Sequence, residues 1–345
     1  MGYFFGNKKS EMWASRLRTG FLAAALGISA AGAAAQAADT NSARFDEQLV
    51  GPVRSPGVQA RNDARLLAAA AEGDLERVKA LLAAGANVRT GSDSPLMWAA
   101  MEGHAAVVEV LLDAGADVHV HSDSALIYAS ENGHTRVVQV LLAAGADIHA
   151  ENDDALRMAA GAGRTDTVRV LLAAGADIHA AQDYALRDAA MRGHAGVVKI
   201  LLDAGAAIDV HEGAPLGSAA ANGHGEVVDI LLAGGADVHA GGEAALIASA
   251  REGYTDILRA LLAAGADAHA QDDKALRSAA RRGHAGTVKA LLDAGADVHA
   301  NGGEALSQAK ARGHVEVVQV LHDHIAAQGS CAACPMAVQP RARPG

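Results

Sequence analysis

Residues 141–150 and 171–180 are the same ten letters, LLAAGADIHA, written thirty positions apart. Self-similarity at a fixed period restricts a chain to a stack of equal units before any other property is weighed. The period holds from about Asn62 to about Gln328. Leucine pairs begin at Leu81, Leu111, Leu141, Leu171, Leu201, Leu231, Leu261 and Leu291. Glycines keep step at Gly73, Gly103, Gly133, Gly163, Gly193, Gly223, Gly253, Gly283 and Gly313, which marks nine units with no insertion between them. In such a stack each unit touches only its neighbours. The 345 residues therefore do not divide into the two or three domains that length alone suggests.

The segment from Asp153 to Gln182 shows how one unit is built. Leu156, Ala159 and Ala160 share one face of a short helix. Asp153 or Asp154 is placed to cap its start, and Gly163 ends it in the left-handed conformation that glycine adopts at little cost. Val168, Val170, Leu171 and Leu172 form the apolar side of a second helix, closed by Gly175. Helices of about ten residues are not stable alone in water, so stability must come from burying these faces against the next unit. Half of the chain is apolar but only 3% is aromatic, with no Phe in the repeats, so Ala and Leu must build a thin, closely spaced core. Pro95 and Pro215 occupy one register in the first turn of the first helix, where proline is favoured.

The segments GHAAVVEVLLDAGADVH (103–119) and GHTRVVQVLLAAGADIH (133–149) resemble the second-helix signature of the ankyrin repeat. The resemblance implies an all-α, right-handed solenoid of about nine helix–turn–helix units over residues 62–328. Two features depart from the family pattern. The unit is 30 residues rather than 33, and the usual Thr-Pro-Leu-His opening reads SPLM (94–97), SALI (124–127), DALR (154–157) or KALR (274–277). Short loops are therefore expected in place of long hairpin tips, as in a shortened variant. The final unit lacks the AGAD turn and reads VLHDHIAAQ, whose polar residues suit an end cap.

Residues 1–37 are of another kind. A basic start (Lys8, Lys9, Arg16, Arg18), the apolar stretch FLAAALGISAAGAAAQA and an Ala-x-Ala exit at residues 35–37 are the parts of a secretory signal, with an anchored N-terminus as the other reading. Residues 38–61 read as a flexible linker and 329–345 as a disordered tail carrying a Cys-x-x-Cys pair. Export to a periplasm is expected, with secretion beyond it as the alternative and no membrane insertion after cleavage. Without residues 1–37 the chain holds 25 Lys+Arg against 39 Asp+Glu, a net charge of −14. Nucleic acid and anionic lipid repel such a surface. The expected partner is an unidentified protein, and the expected form a monomer.

In the family the resemblance points to, partners are held by hairpin tips and by the inner ends of the first helices. Here the second feature maps onto an early apolar patch (Met97, Trp98, Met101, Ile127, Tyr128) and a later basic strip (Arg157, Arg187, Arg251, Arg277, Arg281, Arg282). This pattern suits an acidic or amphipathic segment. The plainer reading makes these residues ordinary solvated helix ends.

Six histidines share one register: His119, His149, His179, His239, His269 and His299. Either each imidazole makes the turn hydrogen bonds that Asn makes in the family, or the row senses pH. Cys331 and Cys334 are a disulfide candidate in an exported protein. A rival function, a metal- or thiol-dependent accessory protein in oxidative-stress defence, would draw on these two cysteines with His322 and His324. No phosphate-binding loop, nucleophile elbow or His-Glu-x-x-His pair is present, and the acids and histidines recur with the period. The expectation is no enzyme, no catalytic residue, no cofactor and no metal.

Overall fold

A computed structural model describes residues 56–89 and 94–332, and all regular structure among them is helical. The helices come in pairs: α1 (Pro56–Glu72) with α2 (Leu75–Ala83), α3 (Pro95–Met101) with α4 (Ala105–Asp113), α5 (Val120–Asn132) with α6 (Thr135–Ala143), and α7 (Ala150–Gly161) with α8 (Thr165–Ala173). The series continues with α9 (Ala180–Arg192) and α10 (Ala195–Asp203), α11 (Val210–Asn222) and α12 (Gly225–Ala233), α13 (Ala240–Glu252) and α14 (Thr255–Ala263), α15 (Ala270–Arg282) and α16 (Ala285–Asp293), and α17 (Ala300–Arg312) and α18 (Val315–Ala332). Each first helix packs on its own second helix and on the first helices of adjacent units, and the second helices form their own row. This is a helical solenoid.

Two leucine rows form its core. Leu66, Leu96, Leu126, Leu156, Leu186, Leu216 and Leu246 lie on the first helices, and Leu111, Leu141, Leu171, Leu201 and Leu231 on the second, all fully buried. Burying one such side chain contributes about 1.5–3 kcal/mol. In each leucine pair from Leu111 onward the first member enters the core. Alanines without exposure, such as Ala129, Ala159 and Ala189, let the first helices approach closely.

The bend between paired helices explains the Gly-His dipeptides. Gly73 takes φ +74°, and a β-carbon there would lie 2.5 Å from the His104 ring of the next unit. That ring reaches back to donate from Nε2 to the Ala71 carbonyl at 3.1 Å. His134, His194, His224, His284 and His314 repeat the bond in their own units. Arg164 stands in the same register and donates from Nε to the Glu131 carbonyl at 2.9 Å. In these seven units the bond closes off a carbonyl at the end of the preceding first helix, a group that helices otherwise leave unsatisfied, while at Gly223 the ring of Tyr254 fills the same register.

The connectors between units are short, as expected, but their hand was not read from the sequence. Three successive residues adopt left-handed geometry in each one described: 121–123, 151–153, 181–183, 211–213, 241–243, 271–273 and 301–303. Each is one turn of left-handed helix, and no strand occurs among the described residues. Asp153 lies in this turn rather than capping a helix. Its carboxylate accepts from the backbone N–H of Asp177 at 2.7 Å, in the next connector. Asp154 instead pairs with Arg157. Helix α1 starts at Pro56, so residues 56–61, expected in the linker, are helical. Gln59 explains why: its amide donates to Asp63 and to the Gly85 carbonyl, tying this turn to the first unit. Helix α18 likewise runs on through residues 329–332, expected in the tail. Residues 1–37, with the expected signal, lie outside the described residues.

Candidate interaction face

The first helices end side by side, and their last two turns carry most of the side chains that break the repeat. Met97, Trp98 and Met101 on α3 and Ile127 on α5 are half-buried. Tyr128 stands 37% exposed beside them, and Met191 on α9 is exposed as well.

The six arginines do not form one uniform strip. Arg157 and Arg187 flank the ring of Tyr184, each guanidinium carbon 5.3 Å from its centroid, which makes a cation–π stack across α7 and α9. Arg251 pairs with its neighbour Glu252 at 2.7 Å. Arg277 binds Glu304 of the next unit at 2.5 Å and also donates to the carbonyls of Gln271 and Asp272 in the left-handed turn. The Arg277 hydrogen bond, with Asn301 helping, holds the Glu304 carboxyl below its usual range. Arg281 and Arg282 are exposed and form no ion pair among the described residues, and Lys310 and Arg312 extend the same end of the row onto α17. Each of these four lies in the last turn of its helix, where a cation also suits the helix dipole.

A second cluster has no sequence signal in the repeat pattern. Asp188 is buried and accepts from Arg192 Nε at 2.9 Å. It occupies the space left by Gly161, where a β-carbon would sit 2.0 Å from its carboxylate. Nearby, burial pushes the Glu131 carboxyl upward, and Arg192 opposes that push most strongly. Tyr184 could have been found in the sequence as a rare aromatic among the repeats. Lys310 and Arg312 could have been found as cations in the register of Ala280 and Arg282. The Gly161–Asp188 fit could not, because it depends on the spacing between two helices.

The histidine row has a definite geometry. His119, His149, His179 and His269 each place Nδ1 at 3.1–3.2 Å from a buried aspartate four residues on, and His239 places it 2.5 Å from Glu243. The side chain of Cys331, and Cys334 altogether, lie outside the described residues. Among the described residues no three or more His, Cys, Asp or Glu are grouped to hold a metal ion. No described helix is long and apolar enough to cross a membrane.

A search of curated proteins returned no match. A family model described as ankyrin repeats (3 copies) matches in overlapping segments: residues 36–122, 66–152, 119–182, 156–241, 186–272, 216–302 and 246–333. These segments span most of the sequence, and with paired helices, aligned glycines and neighbour-only packing they show that this chain belongs to the ankyrin-repeat family.

Proposed function

We propose that this ankyrin array is a non-catalytic protein-binding scaffold that acts outside the cytoplasm, in a bacterial periplasm, and holds an acidic or amphipathic protein segment along the ends of its first helices. Interaction scaffolding is what ankyrin repeats imply in general; the compartment and the class of partner go beyond that implication. The observation that carries the partner class is the set of exposed cations Arg281, Arg282, Lys310 and Arg312, without an ion pair among the described residues, on a chain whose net charge is −11. Charge complementarity of this kind directs encounter and orientation more than raw affinity. The apolar patch at Met97, Trp98, Met101, Ile127 and Tyr128 would take the apolar side of the same segment. The basic start and Ala-x-Ala exit of residues 1–37 support export.

The test is crosslinking and pull-down of the full chain from the exported compartment, repeated with the Arg281→Glu/Arg282→Glu variant and at raised salt. A partner lost in the variant and weakened by salt supports the reading. A partner retained by the variant overturns the cationic site. Recovery of the chain only from the cytoplasm overturns the compartment.

A further inference from the structure

Successive connectors are joined by one repeated bond. A carboxylate at the start of one unit, in the left-handed turn in every case but Asp63 of helix α1, accepts the backbone N–H that lies 24 residues on, in the next connector. Asp63 binds Asn87, Asp123 binds Asp147, Asp153 binds Asp177, Asp183 binds Ala207 and Asp273 binds Asp297, at 2.7–2.9 Å. Where Gly213 replaces the acid, Asp209 supplies the carboxylate from four residues earlier and binds Asp237 N–H at 3.0 Å.

At Glu243 the series is interrupted. One carboxylate oxygen takes the His239 ring at 2.5 Å, while the other is buried with no partner. Glutamate is one methylene longer than aspartate, so from the same backbone its carboxylate overshoots the Asp267 N–H, which forms no such bond. Two glycines, Gly241 and Gly242, precede it in the turn. Beyond this joint lie the last two units, with Arg281, Arg282, Lys310 and Arg312. The bonds from Gln271 Nε2 to the Gly242 carbonyl, from His284 Nε2 to the Arg251 carbonyl and between the hydroxyls of Thr255 and Thr287 still cross it, but none serves the orphaned groups.

We infer that the Glu243–Asp267 joint is where this stack opens, freeing the last two units from the rest, and that His239 sets how readily it opens. A buried carboxylate with one empty oxygen depends on its single partner. The groups facing His239 are all acidic: Glu243 on its own helix, Asp237 on its own connector and Asp267 on the following one. Asp209, on the preceding connector, is bound at the backbone of Asp237. The hydrogen bond to Glu243, and then its charge, raise the imidazole above its ordinary 6.5. A raised folded value stabilises fully below the ordinary value and is lost as pH rises through the raised one. The joint therefore loosens on the alkaline side. The ring is mostly exposed, so solvent screens the charge and the effect is a bias on opening.

Hydrogen exchange of the full chain, each peptide normalised to its intrinsic chemical rate, tests this at about pH 6 and about pH 8.5. Residues 267–273 are expected to exchange about tenfold faster than 177–183, with the gap widening at the higher pH. Glu243→Asp is expected to abolish the gap, and Asp153→Glu to create one at Asp177. His239→Gln keeps a neutral donor, as Gln59 does for Asp63, and is expected to remove the pH dependence alone. Equal exchange at 267–273 and 177–183 in the unaltered chain, or no change in Glu243→Asp, overturns the inference. None of these readings requires a partner, so the outcome is independent of the proposed binding site.

Discussion

A Gly-His dipeptide in this chain serves two units at once. The glycine bends its own unit in left-handed geometry, and the histidine lies over the glycine of the unit before it. At Gly193 the backbone φ is +79° and a β-carbon would meet the His224 ring at 2.5 Å. Gly193→Ala therefore combines left-handed strain with displacement of a ring whose Nε2 donates to the Met191 carbonyl at 3.0 Å. The expected loss is about 2–3 kcal/mol, near 1 from the backbone and the rest from the broken bond and crowding. Urea unfolding of the variant measures it. A loss within about 0.5 kcal/mol would mean that the ring swings away freely and that the interlock contributes little. The same residue-scale logic accounts for substitutions that come in pairs. Gly213 loses the connector carboxylate while Asp209 gains one, and Gly303 dispenses with it in the last unit, where the residue 24 positions on lies inside α18 and not in a connector.

At the scale of elements, the paired helices were legible in the sequence because leucine spacing, glycine punctuation and the first-turn prolines all report on contacts within one unit. The connectors were not. Residues 151–153 read Glu-Asn-Asp, which looks like the start of a right-handed helix with a capping acid, and nothing local distinguishes that from a left-handed turn. What accompanies the left-handed turn is a bond from a backbone N–H 24 residues away to the Asp153 carboxylate, a contact no local window of sequence displays. The proposed interaction face was legible as a list of charges but not as a pattern of pairing, since Arg277 is held by Glu304 across a unit boundary and Arg157 shares Tyr184 with Arg187. The left-handed turn also makes a direct demand on side chains. Ala181 holds φ 48° with a β-carbon in place. Ala181→Gly relieves that strain but loosens the unfolded chain, for a net gain of at most about 1 kcal/mol, whereas Ala181→Val is expected to lose about 1–2 kcal/mol. Thermal unfolding of the two variants should move in opposite directions. Movement in the same direction would contradict the turn.

Across the whole array, stability is a chain of neighbour contacts, so the position of a defect matters as much as its size. Leu201 on α10 and Leu321 on α18 are both fully buried, and truncating either to Ala removes a similar transfer and packing energy, about 2–5 kcal/mol. Leu201 is served by units on both sides, while Leu321 has the rest of the stack on one side only. Because no unit is stable alone, loss at Leu201 should propagate both ways, raising hydrogen exchange through α7–α12, and heating should then resolve more than one transition. Loss at Leu321 should raise exchange in α17 and α18 and leave the earlier units as protected as before. The contrast tests how the array coheres. If Leu321→Ala loosened every unit equally, the stack would be behaving as a single cooperative globule. The repeated connector bonds would then be carrying coupling far beyond nearest neighbours, and a gap in that series at Glu243 could not single out the last two units.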